Sequence, residues 1–428
     1  MGVPLSNRTA PTLEAVPSRE FALHLGERTG PSVPSPWCTQ VKRSRRSDPN
    51  RQREVVVVYK TLPHYRVDFF DRLHHRLAED GIRFRLIVGQ PDDGAAERND
   101  TAVLPWAEVV HNRYLRVGSR SVVWQPCLRS LRHSDLVVVE QATRLLLNPL
   151  LSLWRRVGGP RLGFWGHGKN FDAARASAVA EWWKRKTIGS CDWWFGYTEG
   201  TAELVAGCGY PRAHITVVQN AIDTDALRAL RAEVNAGDVE IAQTELGVAS
   251  SHVGLYLGSL YEGKRLRFLV ESADLIRQRL PDFELLIVGD GPDRSMLQSA
   301  ASSRPWLHVL GAKFGGDLAR LSAVASVLLM PGLVGLAVLD AFALDLPMIT
   351  TAVPNHSPEI EYLRNGDNGI IVNDSTSAAA YADTVVRVLT DGELLARLRD
   401  GCREASRKYT VGEMVDRFRV GVLEALST

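Results

Sequence analysis

Residues Ala325–Val372 read ASVLLMPGLVGLAVLDAFALDLPMITTAVPNHSPEIEYLRNGDNGIIV. The apolar run Val327–Met330, near the start of this segment, has the length and residue types of a buried strand. Pro331-Gly332 ends that run. A helix packed on a sheet is predicted next by three apolar residues at helical spacing: Leu336, Leu339 and Ala343. Strand, glycine loop and helix in succession are typical of a parallel α/β sheet.

The loop between this strand and this helix is suited to an anion. Gly332 and Gly335 leave the backbone bare where the helix is expected to begin, and a helix N-terminus carries unpaired N–H groups and a partial positive charge. Asp340 follows Gly335 by five residues, which is about 7 Å farther along a helix axis. A carboxylate set back in this way could accept hydrogen bonds from a sugar diol. The spacing therefore predicts a nucleotide-sugar site.

The same residues carry a resemblance to a known family. In retaining GT-B glycosyltransferases of family 4, the group 1 type, the donor site has a proline loop, a glutamate, Gly-Phe-Gly-Leu and a second glutamate. Seven residues separate the two acids. When the chain is aligned on Gly335-Leu336, Asp340 stands in the place of the second glutamate and Gly332 in the place of the first. One acid of the pair is thus shortened and the other is missing.

Composition sets the limits of the problem. The 428 residues are enough for about two or three domains, and 45% hydrophobic with 23% charged residues is an ordinary globular balance. The net charge of +2 and the lack of a basic stripe with interleaved aromatic residues argue against a nucleic-acid partner. Five cysteines without CxxC spacing indicate neither zinc nor a disulfide framework, which fits a reducing compartment.

Neither a secretory signal nor a membrane span is predicted. No apolar region follows the start, and the one candidate span, Ala323–Leu339, is divided by Pro331-Gly332. We expect a cytoplasmic protein, with peripheral contact at the inner face of an anionic membrane left open. Residues 1–53, rich in Pro, Ser and Arg, are predicted to be a disordered basic tail. Its basic cluster could contact anionic lipid, although a solvated tail or an upstream start codon explains it more simply.

The resemblance implies an α/β fold of the GT-B type, with two Rossmann-like doubly wound domains facing a cleft. We place the acceptor-side domain at 54–235, the nucleotide-sugar domain at 252–400, and a helix that crosses back to the first domain at 401–428. The pattern over Arg397–Leu426 predicts one long amphipathic helix there. Strands alternating with helices also imply parallel sheets with helices on both faces.

Two turns of the first domain are candidates for ligand contact. Ligands of parallel sheets bind beyond the carboxyl ends of the strands, which singles out Lys60–Arg66 and Gly166–Asn170. His167 has glycine on both sides, so the backbone can approach a ligand there. The family often has a histidine after such a strand, facing the reacting sugar, although a lone histidine can equally be structural. The acceptor-side candidates are His64, Tyr65, Arg66 and Lys169, of which the first three could instead stabilise their turn.

The resemblance also implies which residues bind the donor. The segment GSLYEGK (Gly258–Lys264) matches the family's Gly-Arg-Leu…Lys motif, with Lys264 in the place of the lysine that neutralises the leaving diphosphate. Ser259 replaces the motif's arginine, so that phosphate contact is either lost or supplied by Arg265. The loop after the next strand lies near the nucleotide in the family, although a turn alone explains its glycines. The donor-binding candidates are Gly258, Ser259, Lys264, Arg265, Gly289, Gly291, Gly332, Gly335, Leu336 and Asp340.

Two further motifs have a simpler explanation beside the functional one. Asp223-Thr224-Asp225 matches a metal-binding DxD pattern, but acids at the start of a helix suit an N-cap. We therefore predict no metal. The cluster Trp182–Lys186 combines tryptophans with basic residues, which suits a bilayer interface and a lipid-linked acceptor. Ordinary helix packing with a solvated basic end accounts for the same residues.

These observations predict a retaining, metal-independent hexosyltransferase with a UDP-sugar or GDP-sugar donor and no other cofactor. Its acceptor would be a glycan or a lipid-linked sugar in cell-surface polysaccharide or glycolipid synthesis. Lys264 and His167 are the predicted catalytic residues. A GT-B epimerase or hydrolase, and a non-catalytic nucleotide-sugar-binding protein, remain alternatives. An NAD-binding Rossmann protein is disfavoured because no GxGxxG follows the first strand.

Overall fold

A computed structural model describes residues 51–90, 102–117, 120–168 and 187–428, all within one compact unit. The tail through residue 50, Lys169 and the cluster Trp182–Lys186 lie outside the described residues. The strands are β1 (Glu54–Tyr59), β2 (Arg83–Gly89), β3 (Glu108–Val110), β4 (Arg113–Val117), β5 (Arg120–Trp124), β6 (Leu136–Glu140), β7 (Arg161–Gly166), β8 (Trp193–Gly196), β9 (Ile215–Val217), β10 (Val253–Leu257), β11 (Glu284–Val288), β12 (Leu307–Gly311), β13 (Val327–Met330), β14 (Met348–Thr351) and β15 (Gly369–Val372).

The helices cover the faces and edges of two sheets. They are α1 (Val67–Glu79), α2 (Leu147–Arg156), α3 (Glu199–Gly207), α4 (Asp225–Glu233), α5 (Ala236–Leu246), α6 (Leu266–Arg279), α7 (Arg294–Ala301), α8 (Gly315–Val324), α9 (Ala337–Ala343), α10 (Ala378–Thr390), α11 (Gly392–Lys408) and α12 (Val411–Ser427). Short 3₁₀ turns occupy His64–Arg66, Arg212–His214, Glu262–Lys264 and Pro358–Tyr362. Within the described ranges, no helix is long and apolar enough to cross a membrane.

The first sheet is parallel and doubly wound. Its described strands run in the order β3-β2-β1-β6-β7-β8-β9, and β4 and β5 form a separate antiparallel hairpin. The valines of β1 alternate between two cores, because Val55 and Val57 pack with the apolar face of α1 whereas Val56 and Val58 pack with that of α2. A strand buried on both faces reads as a continuous apolar run, which is why the sequence shows it so clearly.

The second sheet repeats this plan. Its described strands, all parallel, run in the order β12-β11-β10-β13-β14-β15. In both sheets the strand order therefore reverses next to the first strand of the domain. The reversal falls between β1 and β6 in the first sheet and between β10 and β13 in the second. We call these two places the switch points, because open α/β sheets bind ligands at the carboxyl ends of the strands that flank such a reversal. The predicted α/β fold of two Rossmann-like domains is confirmed.

The C-terminal region differs from the prediction in one respect. The single helix expected over Arg397–Leu426 is wrong, because Tyr409 and Thr410 separate α11 from α12. Thr410 has extended backbone, and its hydroxyl oxygen accepts a hydrogen bond from the N–H of Glu413, so it caps a new helix. Helix α12 packs on α1, and Arg419 donates two hydrogen bonds to Asp80 at the end of α1. The chain thus returns to the first domain.

Candidate active site

The carboxyl edges of the two sheets face each other through the segment that follows β14. Glu361, in the turn Pro358–Tyr362, accepts hydrogen bonds from the Thr198 hydroxyl and the Gly200 N–H, each at 2.9 Å. Thr198 follows β8 at the carboxyl edge of the first sheet. The Tyr362 hydroxyl donates to the Asn220 carbonyl at 3.1 Å. Loops from both carboxyl edges are therefore brought to the same side of the molecule.

A buried polar network holds this contact. The Asn220 side chain donates to Glu359 and accepts from the guanidinium of Arg66, which also donates to the Ala221 carbonyl at 3.3 Å. Burial raises the pKa of Glu359, and the Asn220 hydrogen bond opposes part of that rise. Only 1% of Arg66 is exposed. Of the two roles that the sequence left open for Arg66, the burial favours stabilising the structure over binding an acceptor.

Lys264 lies at the switch point of the second sheet, in the loop that follows β10. Its ammonium group donates to the Leu333 carbonyl at 2.6 Å, and only 9% of the residue is exposed. Burial lowers its pKa to about 8. No carboxylate of the described residues forms an ion pair with it. A buried cation is costly without a counter-charge, so this position favours an anionic ligand.

Packing explains why glycine stands where the family carries its first glutamate. A Cβ added to Gly332 would lie 2.4 Å from the carbonyl carbon of Lys264 and 2.5 Å from the carbonyl oxygen of Gly263. The Leu333 N–H also donates to that Gly263 oxygen at 2.9 Å. The loop after β13 therefore rests directly on the backbone of the lysine loop. With this backbone, no acidic side chain fits at residue 332.

The segment after Gly332 offers two N–H groups to a ligand. The Val334 N–H donates to Nδ1 of His356 at 2.9 Å, and the Val334 carbonyl accepts from Ser357 at 3.0 Å. The next two N–H groups, those of Gly335 and Leu336, have no acceptor among the described residues. Helix α9 begins at Ala337 with Leu336 as its N-cap, and Leu336 is half-buried and packs against the core, as its apolar spacing predicts.

Asp340 lies in the first turn of α9 and is half-buried. Within the described part of the chain, no hydrogen-bond donor or cation contacts its carboxylate. Burial raises its pKa to about 6, so it is still mainly ionised at neutral pH. A carboxylate held at the edge of the site without an internal partner can accept hydrogen bonds from a ligand. This arrangement is compatible with the ribose contact that the sequence predicts.

The remaining donor-side candidates mainly support the loops. Arg265 donates to the Pro331 carbonyl at 3.4 Å and to the Thr351 hydroxyl at 3.2 Å, and its guanidinium lies 4.2 Å from the Phe268 ring centre. These contacts favour a loop-stabilising role over the predicted phosphate contact. Ser259 is exposed, and its carbonyl accepts from Tyr256 at 2.8 Å.

The glycines after β10 and β11 allow two backbone segments to touch. A Cβ added to Gly289 would lie 1.9 Å from the Gly258 carbonyl oxygen, and one added to Gly291 would lie 2.4 Å from the Leu260 carbonyl oxygen. Gly258, Gly289 and Gly291 all have positive φ values near 150°. The turn interpretation therefore accounts for these glycines, which hold the lysine loop in place.

In the first domain, His167 follows β7 at the carboxyl edge and is half-buried. Its ring centre lies 4.7 Å from that of Tyr197, in an edge-to-face arrangement. The Tyr197 carbonyl in turn accepts a hydrogen bond from Tyr362 of the second domain at 3.4 Å. His167 is thus on the side of the first domain that meets the second. His64 and Tyr65 are both exposed on the turn that follows β1, and Lys169 lies outside the described residues.

The sequence analysis missed one residue of this edge, Glu140. It ends β6, directly at the switch point of the first sheet, and one carboxylate oxygen accepts from the Lys60 N–H at 2.5 Å. Burial raises its pKa to about 7. An acid that closes the apolar run LVVVE is the signal that could have identified it. In the sequence this run is read only as a strand.

Two family models match consecutive parts of the chain. Residues 69–226 match "Glycosyltransferase Family 4", and residues 251–391 match "Glycosyl transferases group 1". Each match covers less than half of the chain. The chain is thus similar to glycosyltransferase families in both of its halves, with the boundary between the two matches in the region between the two sheets.

Two relatives match part of the chain. The chain is 27% identical to EpsD of Bacillus subtilis (strain 168) over 170 residues, or 38% of this chain and 44% of EpsD. It is 24% identical to alpha-D-kanosaminyltransferase of Streptomyces kanamyceticus over 192 residues, or 42% of this chain and 49% of the relative. The chain therefore spans less than half the length of either relative.

Solved structures share the fold of this chain. Anabaena HepE in complex with UDP has a TM-score of 0.63 at 14% identity, covering 87% of this chain and 99% of HepE. The lipopolysaccharide outer core galactosyltransferase WaaB in its apo form has a TM-score of 0.60 at 14% identity, covering 86% and 99%. At this level of identity, the similarity establishes the GT-B fold.

Proposed function

We propose that this protein is a retaining, metal-independent glycosyltransferase. It moves a hexose from a nucleoside-diphosphate sugar, a UDP-sugar or GDP-sugar, to a hydroxyl group of a glycan or lipid-linked acceptor in cell-surface polysaccharide or glycolipid synthesis. The observation that carries the proposal is the buried ammonium of Lys264, which has no counter-charge among the described residues and lies at the switch point of the second sheet.

Lys264 and the loop after β13 would act on the leaving group. When the bond between the anomeric carbon and the diphosphate oxygen breaks, its electron pair remains on the diphosphate. The Lys264 ammonium and the N–H groups of Gly335 and Leu336 stabilise that charge, and fixed donors in a partly buried site do so without reorganising. Asp340 accepts hydrogen bonds from the ribose hydroxyls, and His167 lines the sugar subsite from the first domain.

The missing acid favours a front-face reaction. A double displacement requires a carboxylate nucleophile next to the anomeric carbon. The family position of the first acid is Gly332, and the Lys264 backbone leaves no room for a side chain there. We therefore propose that the acceptor hydroxyl attacks from the face that the diphosphate leaves. Its proton passes to the departing phosphate oxygen, so the product keeps the donor's anomeric configuration.

The DxD-like segment supports the helix that follows it. The Asp223 carboxylate accepts from the Asp225 N–H at 3.1 Å, and Asp225 forms an ion pair with Arg228 at 2.9 Å. These contacts support the interpretation that the two acids stabilise the start of a helix. We propose that the Lys264 ammonium and the N–H groups of Gly335 and Leu336 supply the positive charge that a metal would otherwise provide. Turnover should therefore persist in EDTA. Loss of turnover on chelation, restored by Mn²⁺ or Mg²⁺, would overturn this part of the proposal.

A release assay tests the function. The full chain is incubated with UDP-glucose, UDP-galactose or GDP-mannose, with and without a cell-envelope extract, and free nucleoside diphosphate is measured. We expect release from one donor that depends on the extract, and a product anomer that NMR shows to match the donor. Release that is independent of the extract would indicate an epimerase or hydrolase, and binding without release a non-catalytic protein. An inverted product would overturn the retaining mechanism.

A further inference from the structure

The β1–β6 switch point of the first domain has polar residues of its own. Lys60 follows β1 and Glu140 ends β6, so the two residues flank the place where the strand order reverses. The Lys60 N–H donates to Oε2 of Glu140 at 2.5 Å, which ties the two strand ends together. In a doubly wound sheet this crevice is the expected site of a ligand. The donor residues proposed above leave it unused.

Glu140 has one carboxylate oxygen available. Oε2 is held by the Lys60 N–H, whereas Oε1 has no hydrogen-bond donor among the described residues. The residue is half-buried at the carboxyl edge, so its carboxylate is shielded but remains accessible. A shielded carboxylate oxygen is a strong hydrogen-bond acceptor, since charge-assisted hydrogen bonds are about twice as strong as neutral ones.

Gln141, the next residue in the chain, has a second acceptor. Its side-chain oxygen is buried and has no hydrogen-bond partner among the described residues. It lies next to Gly166, because a Cβ added there would be 3.1 Å from the Gln141 Cβ and 3.6 Å from that oxygen. His167 follows Gly166 directly. Two oxygen acceptors without donors, on consecutive residues at the end of one strand, match a ligand that brings hydroxyl groups, because a buried polar atom without a partner is costly.

The charges around Glu140 keep its ionised form accessible. Lys60 and Arg66 lower its pKa and partly oppose the larger effect of burial. Burial raises the pKa values of Tyr59 and Tyr197, and Glu140 adds to both shifts, so these phenols remain neutral. No other carboxylate of the described residues contributes to the shift of Glu140. Glu140 thus interacts with two cations and two neutral phenols.

We infer that Glu140, together with Gln141, binds the attacking hydroxyl group of the acceptor and orients it toward the donor sugar. This inference rests on the proposed function, because it assigns the acceptor half of the same reaction. It places the acceptor's hydroxyl at the first switch point and the donor's diphosphate at the second. The acceptor is accordingly a polyol such as a sugar, recognised through hydrogen bonds that its hydroxyl groups donate.

The test separates acceptor binding from donor binding. Glu140→Gln preserves size and the bond to Lys60 but removes the charge. The amount of cell-envelope extract that half-saturates release, with the donor that the panel selects, should rise about tenfold to a hundredfold. The affinity for UDP or GDP should stay within about twofold, because it reflects the donor side alone. A matched control, Glu203→Gln, removes an exposed carboxylate of the same domain and should match the wild type.

A second variant tests the inference if Glu140→Gln does not fold. Gln141→Leu removes a buried oxygen that has no partner among the described residues, so the fold should persist. It should raise the half-saturating amount of extract by about threefold to tenfold, the equivalent of a neutral hydrogen bond. The pH dependence is a third readout. In the wild type the half-saturating amount should rise below about pH 7, as Glu140 gains a proton, and this rise should vanish in Glu140→Gln.

The outcomes are distinguishable. If the wild type releases no nucleoside diphosphate in response to extract, the proposed function fails, and the inference fails with it. If the wild type responds but Glu140→Gln stays within twofold of it, only the inference fails. Equal loss of donor affinity and extract-dependent release in Glu140→Gln would place the residue on the donor and would also overturn the inference.

Discussion

The two switch points share the same strand topology, but the buried group considered at each has the opposite charge. At the second, the loop after β10 buries the Lys264 ammonium, and the pKa of this group is lowered to about 8. At the first, the end of β6 partly buries the Glu140 carboxylate, and its pKa is raised to about 7. Burial disfavours the charged form of each group, and in each case the shift brings the pKa toward neutrality.

The difference indicates a division of labour between the domains. A buried cation next to free N–H groups suits a ligand that carries negative charge, whereas a carboxylate next to a free amide oxygen suits a ligand that donates hydrogen bonds. A glycosyl transfer needs one site of each kind, because its leaving group is an anion and its nucleophile is a hydroxyl group. The same topology thus serves both halves of the proposed reaction, although Lys264 follows the first strand of its domain whereas Glu140 ends the strand across the switch point.

Replacing Lys264 should produce the largest effect on turnover. A small effect would contradict the role assigned to the second switch point. Lys264→Ala should lower turnover by about a hundredfold to a thousandfold, the usual consequence of removing one preformed donor to a developing negative charge. The release assay with saturating donor and extract measures this loss. Lys408→Ala, which removes an exposed lysine of α11, is the matched control. Turnover within twofold of the wild type would exclude Lys264 from the mechanism.

The affinity for the nucleotide tests the role of Asp340 on the donor side. Asp340→Ala should weaken the binding of UDP or GDP by about tenfold to a hundredfold, because hydrogen bonds to a charged group contribute about 1.5–3 kcal/mol. Calorimetry measures this change, and a 2′,3′-dideoxy nucleotide should bind the wild type poorly and respond little to the substitution. A change of less than twofold would make Asp340 a solvated helix residue. Unchanged nucleotide affinity with lost transfer would place it at the sugar instead.

The pH dependence of nucleotide binding tests the charge at the second switch point. Burial lowers the Lys264 pKa, so the ammonium form that binds the diphosphate is present below about pH 8 and is lost above it. UDP affinity should therefore be flat up to about pH 8 and then fall by up to about tenfold per pH unit. Lys264→Met should bind weakly and show no such fall. A wild-type affinity that stays constant to about pH 9 would contradict the assignment.

The contact that brings the two switch points together should show the smallest effect. Glu361→Ala removes the acceptor of the Thr198 hydroxyl and the Gly200 N–H, both of which lie across the domain boundary. We expect a loss of about 1 kcal/mol in the free energy of unfolding, seen as a fall of about 2 °C in the melting temperature. The control is Glu203→Ala, which removes an exposed acid of α3, the helix that also contains Gly200. This variant should leave the melting temperature unchanged. Equal melting temperatures for both variants would show that the Glu361 hydrogen bonds do not stabilise the contact between the two domains.

The buried strands were predictable because a strand buried on both faces is a continuous apolar run in the sequence. The bounds of β13 agree with the predicted run, whereas the helix break at Tyr409-Thr410 was missed. One amphipathic pattern continues through α11 and α12, and only the capping hydroxyl of Thr410 marks the break. Periodicity reports which faces are buried but not where a helix changes direction.

The candidate site was less predictable than the fold. Asp340 and Lys264 follow from spacing and from the resemblance, but Glu140 requires knowledge of strand order. The acid lies more than 100 residues before Lys264 in the chain, and only the pairing of β1 with β6 places it at a switch point. The packing of Gly332 on the Lys264 backbone is likewise a three-dimensional fact. Such contacts between distant segments leave no local pattern.

A crystal structure of the full chain with UDP-glucose would test the central claim most directly, because it shows which switch point holds the diphosphate. Our account predicts a diphosphate oxygen within about 3 Å of the Lys264 ammonium, with the ribose hydroxyls on Asp340 and the crevice beside Glu140 free for an acceptor. Diphosphate density beside Lys60 and Glu140, with Lys264 still bound only to the Leu333 carbonyl, would contradict it.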